Sequence, residues 1–349
     1  LLLFSQQKVW TLEEAIGHAL QNNIQIKQQE IATKYQASAL ELSKMSQLPT
    51  LNGSASHNYS FGRALDETTY EFTDNQTVQS NNFSATTGIT LFRGLVTYNT
   101  IKRNRYQLMA SEQDLEGFKD DISMNIALAY LQILLNSELV TATVSQVDMT
   151  KQQIDRTRKL VDAGSLARGN LLDIEAQAAR EELQLVNLQN QLTMSYLTLA
   201  QMLELPSVDD FAVAIPEITI DPVSVTGDPA GIFSIAEKTR PEILGAEFRL
   251  RGAEYDLSIA KGGRSPRLGF GASVGTAYSD NRINPFSKQL NDNLNFGVGF
   301  SLNIPIFNGW QVNSNISNSK LGIENSKYTL EATRKQLYKN IQQAFTDAT

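Results

Sequence analysis

The sequence contains no cysteine, and this absence excludes several kinds of chemistry at once. Disulfides, thiol nucleophiles and thiolate metal ligands are not available to its 349 residues. Histidine is almost as scarce, since His18 and His57 are the only two and neither has a carboxylate cluster at ligand spacing. No nucleophile has a matching base. The sequence therefore predicts a protein that holds no metal or cofactor and is not an enzyme.

Clustered positive charge and long apolar runs are also lacking. The chain has 30 Lys and Arg against 37 Asp and Glu, a net charge of −7, which argues against a nucleic-acid partner. No run approaches the roughly 20 apolar residues of a membrane-spanning helix. Residues 1–9 read as the end of an apolar signal-peptide core followed by a polar zone, so they are interpreted as a signal-peptide remnant and N-terminal lead.

Helix-breaking residues are scarce in the middle of the chain. Residues 95–205 contain no proline and only three glycines, Gly117, Gly164 and Gly169. This scarcity predicts very long helices. A helix over 95–162 would be about 100 Å long at 1.5 Å per residue.

After a break at residues 163–169 the helix is expected to return, with Asn170 as its cap. Apolar residues then recur at alternating steps of 3 and 4, a coiled-coil seam that only Glu181 and Ser195 interrupt. The apolar members of the seam are Leu171, Ile174, Ala178, Leu185, Leu188, Leu192, Leu199 and Met202. The two helices are thus predicted to pack as one long antiparallel hairpin.

A long internal duplication is the strongest positive feature of the sequence. Leu91-Phe92-Arg93-Gly94 recurs as Ile306-Phe307-Asn308-Gly309 at an offset of 215, and upstream residues recur at an offset of 217. Both copies begin with a helix cap: Thr11 with Glu14 forms a capping box, and Asp228 precedes a proline. Aligned in this way, the second copy is expected to be truncated at its end.

The predicted organisation follows from this alignment. It comprises a lead (1–9), a first repeat (10–206: helix 11–47, strands 51–61 and 83–92, helices 95–162 and 170–205), a connector (207–227) and a truncated second repeat (228–349: helix 229–263, strands 268–279 and 294–306, helix 309–349). Each copy thus places one strand pair between helical stretches.

The four strand segments alternate between apolar residues and Gly, Ser, Asn or Thr, and in the fourth the alternation is unbroken over the thirteen residues 294–306. Such alternation suits one face of a soluble β-sandwich, but the small polar face, the strand lengths and the long polar loops at 62–82 and 280–293 favour a transmembrane barrel with a polar lumen. Predicted lipid-facing residues are Phe270, Val274, Phe296, Val298, Phe300 and Leu302. Predicted interfacial aromatics are Tyr59, Phe61, Phe83, Phe92, Tyr278, Phe307 and Trp310.

Four strands cannot close a barrel, because bacterial barrels begin at about eight strands and lipid tolerates no open sheet edge. Several chains must therefore share one barrel. The predicted fold class is long α-helical coiled-coil hairpins plus transmembrane β-strands, built from a duplicated helix–strand–strand–helix unit with four strands per chain. A barrel continued by long helices is a conduit.

The ordered set of motifs resembles the TolC family of outer-membrane efflux proteins. It is carried by the duplication, the Trp10–Ala15 opening, the Leu-Phe-x-Gly strand exits and the Val161–Leu166 hairpin turn. The resemblance implies a homotrimer with a shared trimeric 12-stranded β-barrel continued by an α-helical barrel through the periplasm. It also implies a place in the outer membrane of a Gram-negative bacterium, docked to a periplasmic membrane-fusion adaptor and an inner-membrane pump of RND or ABC type.

The resemblance further implies that the hairpin tip docks the adaptor. The matching residues here are Gly164, Ser165 and Leu166, flanked by Arg158 and Arg168. Gly164 has a second interpretation, as a residue that only satisfies a left-handed helix terminus. The second hairpin tip and the family's gating residues align beyond residue 349.

Three alternatives to an efflux duct remain at this point. The chain could be the outer-membrane duct of type I protein secretion, which differs in substrate and pump. A non-transporting trimeric surface fibre or adhesin is disfavoured, because its seam would be parallel and uninterrupted, whereas Gly164 reverses this helix. An enzyme on an unrelated α+β fold lacks a site.

Overall fold

The computed structural model describes residues 8–65, 72–207, 211–216 and 228–348. The chain forms two compact units. The first, here the helical unit, comprises Leu1–Thr33, Gln113–Gly227 and Ala348–Thr349, and the second, here the sheet unit, comprises Lys34–Glu112 and Asp228–Asp347. The predicted lead, connector and first polar loop lie partly outside the described residues.

Helices dominate the described chain, and the strands come in two groups. In order, the elements are β1 (Lys8–Trp10), α1 (Leu12–Asn22), α2 (Ile24–Met45), β2 (Thr50–Leu65), β3 (Phe72–Arg93), α3 (Val96–Asp162), α4 (Arg168–Met202), β4 (Phe211–Val213), α5 (Pro229–Thr239), α6 (Pro241–Gly262), β5 (Arg267–Ser279), α7 (Phe286–Asp292), β6 (Asn295–Asn303) and α8 (Gln311–Ala348).

The first helix starts where the sequence predicts but is divided at Asn23. The Thr11 hydroxyl accepts from the Glu14 N–H at 3.2 Å, which completes the capping box. The Asn23 N–H closes α1 by donating to the Ala19 carbonyl at 2.8 Å, and its Oδ1 accepts from the Gln25 N–H at 2.9 Å. One residue therefore ends α1 and caps α2, so the prediction of a single helix over 11–47 is wrong at this residue.

The second copy is divided at the equivalent position by different chemistry. Arg240 ends α5 with a hydrogen bond from its N–H to the Ala236 carbonyl, and Pro241 is the first residue of α6. Proline has no N–H to continue the helix but is well suited to begin one. The predicted single helix over 229–263 is therefore also two helices. Arg240 lies 217 residues after Asn23, so the break belongs to the duplicated unit.

The long hairpin has the predicted length. Helix α3 contains 67 residues, about 100 Å at the α-helical rise. It also contains one 18-residue stretch long and apolar enough to cross a membrane, contrary to the sequence-based expectation. Within α3, Ile126, Tyr130 and Ile133 are buried in the core of the helical unit, whereas only 22% of the apolar stretch is buried.

The core of the helical unit joins α1, α3 and α4 beneath a small parallel sheet of β1 and β4. Its buried members are Trp10, Ala15, Ala19, Ile126, Tyr130, Ile133, Leu199, Ala200 and Leu203. The Tyr130 hydroxyl donates to the Ala214 carbonyl at 2.5 Å, which fastens α3 to the strand pair, and burial raises the pKa of this tyrosine. Lys8 and Val9, predicted as lead, thus belong to the fold.

The sheet unit has a helical core built from equivalent positions. Its buried residues are Ile243, Ala246, Leu330 and Leu337, with Ile341 packed against them. Ile341 is the counterpart of Ile126 at the 215 offset, and Ile126 occupies the first core. The duplication therefore repeats tertiary packing as well as sequence.

The sheet is antiparallel, with strand order β2-β3-β5-β6. Strands β2 and β3 have 16 and 22 residues, longer than predicted, and much of the expected loop 62–82 is strand. Strand β6 is shorter than predicted and ends at Asn303, two residues before Pro305, which cannot donate to a ladder. The expected loop at 280–293 contains α7.

Both strand exits use the same left-handed turn. Gly94 and Leu95 have φ of 57° and 59°, and Gly309 and Trp310 have φ of 60° and 68°. A Cβ on Gly94 would lie 2.5 Å from Cβ of Ser265, so this turn requires glycine for space as well as for conformation.

Candidate functional site

The strand register gives the sheet one apolar face. Phe270 pairs with Phe300, Val274 with Phe296, and Leu268 with Leu302. Directly opposed residues of an antiparallel pair lie on the same face. All six predicted lipid-facing residues therefore share this apolar face, with Val298 opposite Ala272.

The opposite face is lined by glycine and small polar residues. Across β5 and β6, Gly269 pairs with Ser301 and Ser273 with Gly297. A Cβ on Gly269 would lie 2.9 Å from the Ser301 hydroxyl oxygen, so the glycine leaves room for its neighbour. Across β2 and β3 the Ser54 and Ser84 hydroxyls are hydrogen-bonded at 2.7 Å. This polar face has no large apolar side chain along β5 and β6.

The predicted aromatic residues are distributed less simply than expected. The Tyr59 and Phe61 rings stack with centroids 6.5 Å apart. Because β3 begins at Phe72, Phe83 lies within the strand and not at its end. Phe307 and Trp310 lie after β6, in the turn that leads to α8. Phe92 and Tyr278 lie near strand ends as predicted.

Strands β2 and β6 form the two edges of the sheet. Among residues 8–65, 72–207, 211–216 and 228–348, no further strand pairs with either outer edge. An edge with unpaired backbone groups is not stable in lipid. A transmembrane position for this sheet therefore requires strands from outside the chain.

The hairpin tip, residues 163–169, begins with a Schellman turn. Gly164 has φ of 72°, its N–H donates to the Val161 carbonyl at 2.9 Å, and the Ser165 N–H donates to the Leu160 carbonyl at 2.9 Å. Ser165, Leu166 and Arg168 are exposed. The tip is therefore an accessible surface with one large apolar side chain, that of Leu166.

One prediction about the tip needs correction, and Arg158 has a partner that the sequence did not indicate. Helix α4 starts at Arg168 and its N-cap, Ala167, makes no side-chain capping bond, so Asn170 lies inside the helix and is not its cap. Arg158 is held within the hairpin, because it lies 3.2 Å from Glu175 and 3.7 Å from Asp155. This ion pair links α3 to α4, and the Arg158 side chain remains half exposed.

The polar interruptions of the predicted seam have partners on α3. Ser195 accepts a hydrogen bond from Asn136 of α3. The Glu181 carboxylate accepts from Gln146 of α3 at 3.3 Å and from Gln177 of its own helix, α4, at 2.9 Å. These hydrogen bonds, that of Gln177 foremost, lower the pKa of the Glu181 carboxyl. Such pairs fix the register of two helices at a cost in packing.

A cavity of about 600 Å³ lies on the polar face of the sheet. It is at the end of the strands that is opposite to the turn at Gly94. Its lining includes Arg63 and Arg282 together with Ser80, Asn82 and Asn293. Neither arginine was predicted as a site residue. Arg63 lies in β2, which continues past the predicted strand end at residue 61, whereas Arg282 lies in the predicted loop 280–293. The available signal for Arg63 was the alternation, which continues from Ser60 to Gly62.

The two histidines have partners within their own surroundings. The His18 ring meets Trp10 edge-on with centroids 4.9 Å apart, and its Nδ1 lies 3.2 Å from the Asn22 amide nitrogen. His57 Nδ1 lies 2.5 Å from Asn81 Oδ1. Within the described part of the chain, no group of three metal-ligating side chains is arranged to hold a metal ion.

A sheet with one apolar and one small polar face, joined to long antiparallel helices, defines the class of outer-membrane channel proteins. Two solved structures have this fold: VceC from Vibrio cholerae, with a TM-score of 0.78 and 17% identity over 97% of this chain and 78% of that chain, and the CmeC outer membrane channel of Campylobacter jejuni, with a TM-score of 0.77 and 17% identity over 96% and 71%. The predicted fold class is confirmed.

The family profile for outer membrane efflux proteins matches residues 15–204 and 232–349. The chain therefore belongs to the outer membrane efflux protein family, which confirms the resemblance found in the sequence. The predicted function class and outer-membrane location are those of this family.

Individual relatives are distant in sequence. The chain is 20% identical to outer membrane efflux protein BepC of Brucella suis biovar 1 (strain 1330), over 96% of this chain and 69% of BepC. It is 23% identical to TolC of Escherichia coli (strain K12), over 86% of this chain and 60% of TolC. It is also 23% identical to cation efflux system protein CusC of Escherichia coli O157:H7, over 98% and 70%. The chain spans 60% of TolC and about 70% of the other two.

Proposed function

We propose that three copies of this chain form a passive outer-membrane duct of a tripartite efflux pump. The observation that carries the proposal is the four-stranded sheet with two distinct faces and two free edges. Three such sheets would give the 12 strands of a closed barrel, which lipid requires. The apolar face then contacts the bilayer and the polar face lines the lumen.

In this arrangement the bilayer contacts are made by the apolar face. They are Phe270, Val274, Phe296, Val298, Phe300 and Leu302. The aromatic residues Tyr59, Phe61, Phe92, Tyr278, Phe307 and Trp310 are proposed to lie at the two membrane interfaces, where aromatic girdles occur. Phe83, within β3, is proposed to face the bilayer instead.

The duct is proposed to dock through its helical hairpin on a periplasmic membrane-fusion adaptor, itself bound to an inner-membrane pump of RND or ABC type. Gly164, Ser165, Leu166 and Arg168 form the proposed contact surface. The Schellman turn holds them in a fixed geometry, and Leu166 supplies apolar contact area. Arg158, which pairs with Glu175 and whose side chain is half exposed, is proposed to flank this surface.

A mass and conductance measurement tests the proposal. The full-length protein in detergent should have the mass of a trimer and, in planar bilayers, should give stable pores. A protein that stays monomeric, or trimers that never conduct, would refute a shared barrel. In cells, loss of the gene should raise the accumulation of a pump substrate. Loss of a secreted protein without such accumulation would instead identify a type I secretion duct.

A further inference from the structure

The arginine near the end of β2 reaches the polar face through a β-bulge. Regular alternation would place Arg63 on the apolar face, together with Tyr59 and Phe61. The pairing of β2 with β3 shifts between Gly62 and Ala64, however, and Gly62 has φ of 116°. A bulge of this kind redirects a side chain. Arg63 accordingly lines the cavity on the polar face.

The second arginine of the cavity is held by the turn that follows β5. Gln289 of α7 is buried, and its amide exchanges two hydrogen bonds with the backbone of Ser279, at 3.0 Å and 2.9 Å. The same amide nitrogen donates to the Asn284 carbonyl at 2.7 Å, so one side chain holds both ends of the turn. Arg282 lies within this turn, and its Nη1 donates to Asn293 Oδ1 at 2.9 Å. The backbone and the guanidinium of Arg282 are therefore both positioned by the fold.

The cavity carries positive charge. The described residues that line it include these two arginines and no aspartate or glutamate. Asp280 is the acidic residue next to the lining in the sequence, and its carboxylate is directed to the backbone of β3. Its Oδ1 accepts from the Gln79 N–H at 2.7 Å. The acidic side chain closest in sequence to Arg282 thus caps a strand and does not line the cavity.

The lining is also rich in hydrogen-bond donors. A guanidinium has five N–H donors, and Arg282 uses one of them in its bond to Asn293. The Arg63 guanidinium carbon lies 4.8 Å from the centroid of the Phe72 ring, a cation–π contact that holds the charge in place. Ser80 contributes a hydroxyl group to the lining. The cavity therefore combines two positive charges with neutral donors.

We propose that this cavity, here the arginine cavity, binds a small organic polyanion through Arg63 and Arg282, with one site in each chain. The planar guanidinium matches a carboxylate or phosphate group with two parallel hydrogen bonds. The two arginines belong to elements on either side of β3, so they suit a ligand with two separate oxyanion groups. A volume of about 600 Å³ is within the range of small-molecule sites.

The position of the arginine cavity favours a dissolved ligand over a lipid headgroup. The cavity lies on the face of the sheet opposite to Phe296 and Val298, which are proposed to contact the bilayer. Its place in the lumen rests on the proposed duct, where it would hold anionic solutes at the end of the barrel away from the long helices. Binding itself requires only one chain, because all of the lining comes from one sheet and its loops.

Calorimetric titration of the full-length protein with citrate, a tricarboxylate, measures the site at low ionic strength. We expect one citrate to bind per chain. Arg63→Gln and Arg282→Gln, made singly, should each weaken citrate binding about tenfold or more, because each removes a charged hydrogen-bond donor. The matched control is Arg267→Gln, which removes a positive charge from the polar face of β5 at its opposite end and should leave the affinity unchanged.

Two further titrations define the ligand. Acetate has a single carboxylate and should bind at least about tenfold more weakly than citrate, because it cannot engage both arginines. Micelles that contain phosphatidylglycerol test a lipid headgroup as the source of the anion, and they should show no binding that depends on Arg63 or Arg282. Binding of these micelles that depends on the arginines, without binding of citrate, would overturn the assignment to a dissolved polyanion.

The remaining outcomes separate this inference from the proposed function. Citrate binding that is weakened by both arginine variants and retained in Arg267→Gln supports the arginine cavity. Conducting trimers that do not bind citrate, or that bind it equally well without Arg63 or Arg282, overturn the cavity while the duct remains. A protein that is monomeric by native mass but binds citrate through both arginines supports the cavity and refutes the duct.

Discussion

The Asn136 amide donates a hydrogen bond to the Ser195 hydroxyl at 2.7 Å across the α3–α4 hairpin. Asn136 is buried, and its Oδ1 accepts in turn from Gln132 at 3.0 Å. Ser195, which interrupts the apolar seam of α4, is thus the hydrogen-bond partner that offsets the cost of burying Asn136. This hydrogen bond and the one between Gln146 and Glu181 are two polar contacts that fix the register of α3 against α4.

Removing the serine hydroxyl should destabilise the helical hairpin. Ser195→Ala leaves the Asn136 amide buried without this acceptor, so we expect a loss of about 1–3 kcal/mol in the free energy of unfolding. Thr193→Ala removes an exposed hydroxyl from the same helix and is the control, with a change below about 0.5 kcal/mol. Denaturant unfolding of both variants measures the difference. Equal stability would show that Asn136 finds another acceptor.

Replacing Asp256 of α6 should show how much its ion pair with Arg103 of α3, at 3.4 Å, contributes to the stability of the fold. Burial raises the pKa of its carboxyl, and this effect exceeds the lowering by Arg103. A raised pKa in the folded state means that folding disfavours the ionised form of Asp256. The resulting loss of stability is absent at low pH, where the carboxyl is protonated in both states, and is fully present once the pH exceeds the folded-state pKa. We therefore expect Asp256→Asn to leave stability at pH 7 unchanged or raise it by less than about 1 kcal/mol.

The pH dependence provides the check on that sign. Any advantage of Asp256→Asn at pH 7 should vanish as the pH falls below the ordinary carboxyl pKa of about 3.9, where both side chains are neutral. Thermal unfolding of the two proteins across this range measures it. A marked loss of stability in the asparagine variant at pH 7 would mean that the ion pair with Arg103 stabilises the packing of α3 against α6.

The two faces of β6 should differ in their tolerance of charge. Val298→Arg places a charge on the apolar face and should cost about 2–4 kcal/mol if this residue lies near the bilayer midplane. Ser301→Arg, three residues along on the polar face, is the matched control and should insert normally but change conductance. Trimer yield in membranes and single-pore currents measure both effects. Equal tolerance would contradict a lipid-facing position for Val298.

The hairpin tip should lose adaptor contact when its apolar side chain becomes charged. Leu166→Asp should leave trimer assembly intact, because the residue is exposed and makes no part of either buried core. Adaptor cross-linking should fall about tenfold or more, which corresponds to about 1.4 kcal/mol. Leu166→Met keeps the apolar contact and should retain binding. If cross-linking is unchanged in the aspartate variant, the tip is only a turn and does not contact the adaptor.

Much of the fold was predictable because its signals are local or repeated. The alternation in β6 gave its two faces, and the register confirms that Phe296, Val298, Phe300 and Leu302 point the same way. Thr11 and Asp228 cap their helices as predicted. The duplication was visible in the sequence, and the paired turns at Gly94 and Gly309 bear it out.

The tip residues show where sequence reasoning reached its limit. The lack of other helix-breaking residues predicted that the chain reverses at Gly164. Nothing local in the sequence predicted which residue pairs with Arg158. Glu175 lies 17 residues away, and only the pairing of α3 with α4 brings the two side chains within 3.2 Å. Arg63 and Arg282 line the same cavity because β3 pairs with β2 on one side and with β5 on the other.

Sequence information alone is enough to predict the periodic features: the long helices, the two-faced strands, the caps and the duplicated plan. Each depends on residues within a few positions of one another, or on a comparison of the chain with itself. The division of the first helix at Asn23 depends on the fold, because the Asn23 amide donates to the carbonyl of Met202 at 3.0 Å. A buried polar group is satisfied by whatever the fold brings near it, and two residues separated by 179 positions carry no local signal of that contact.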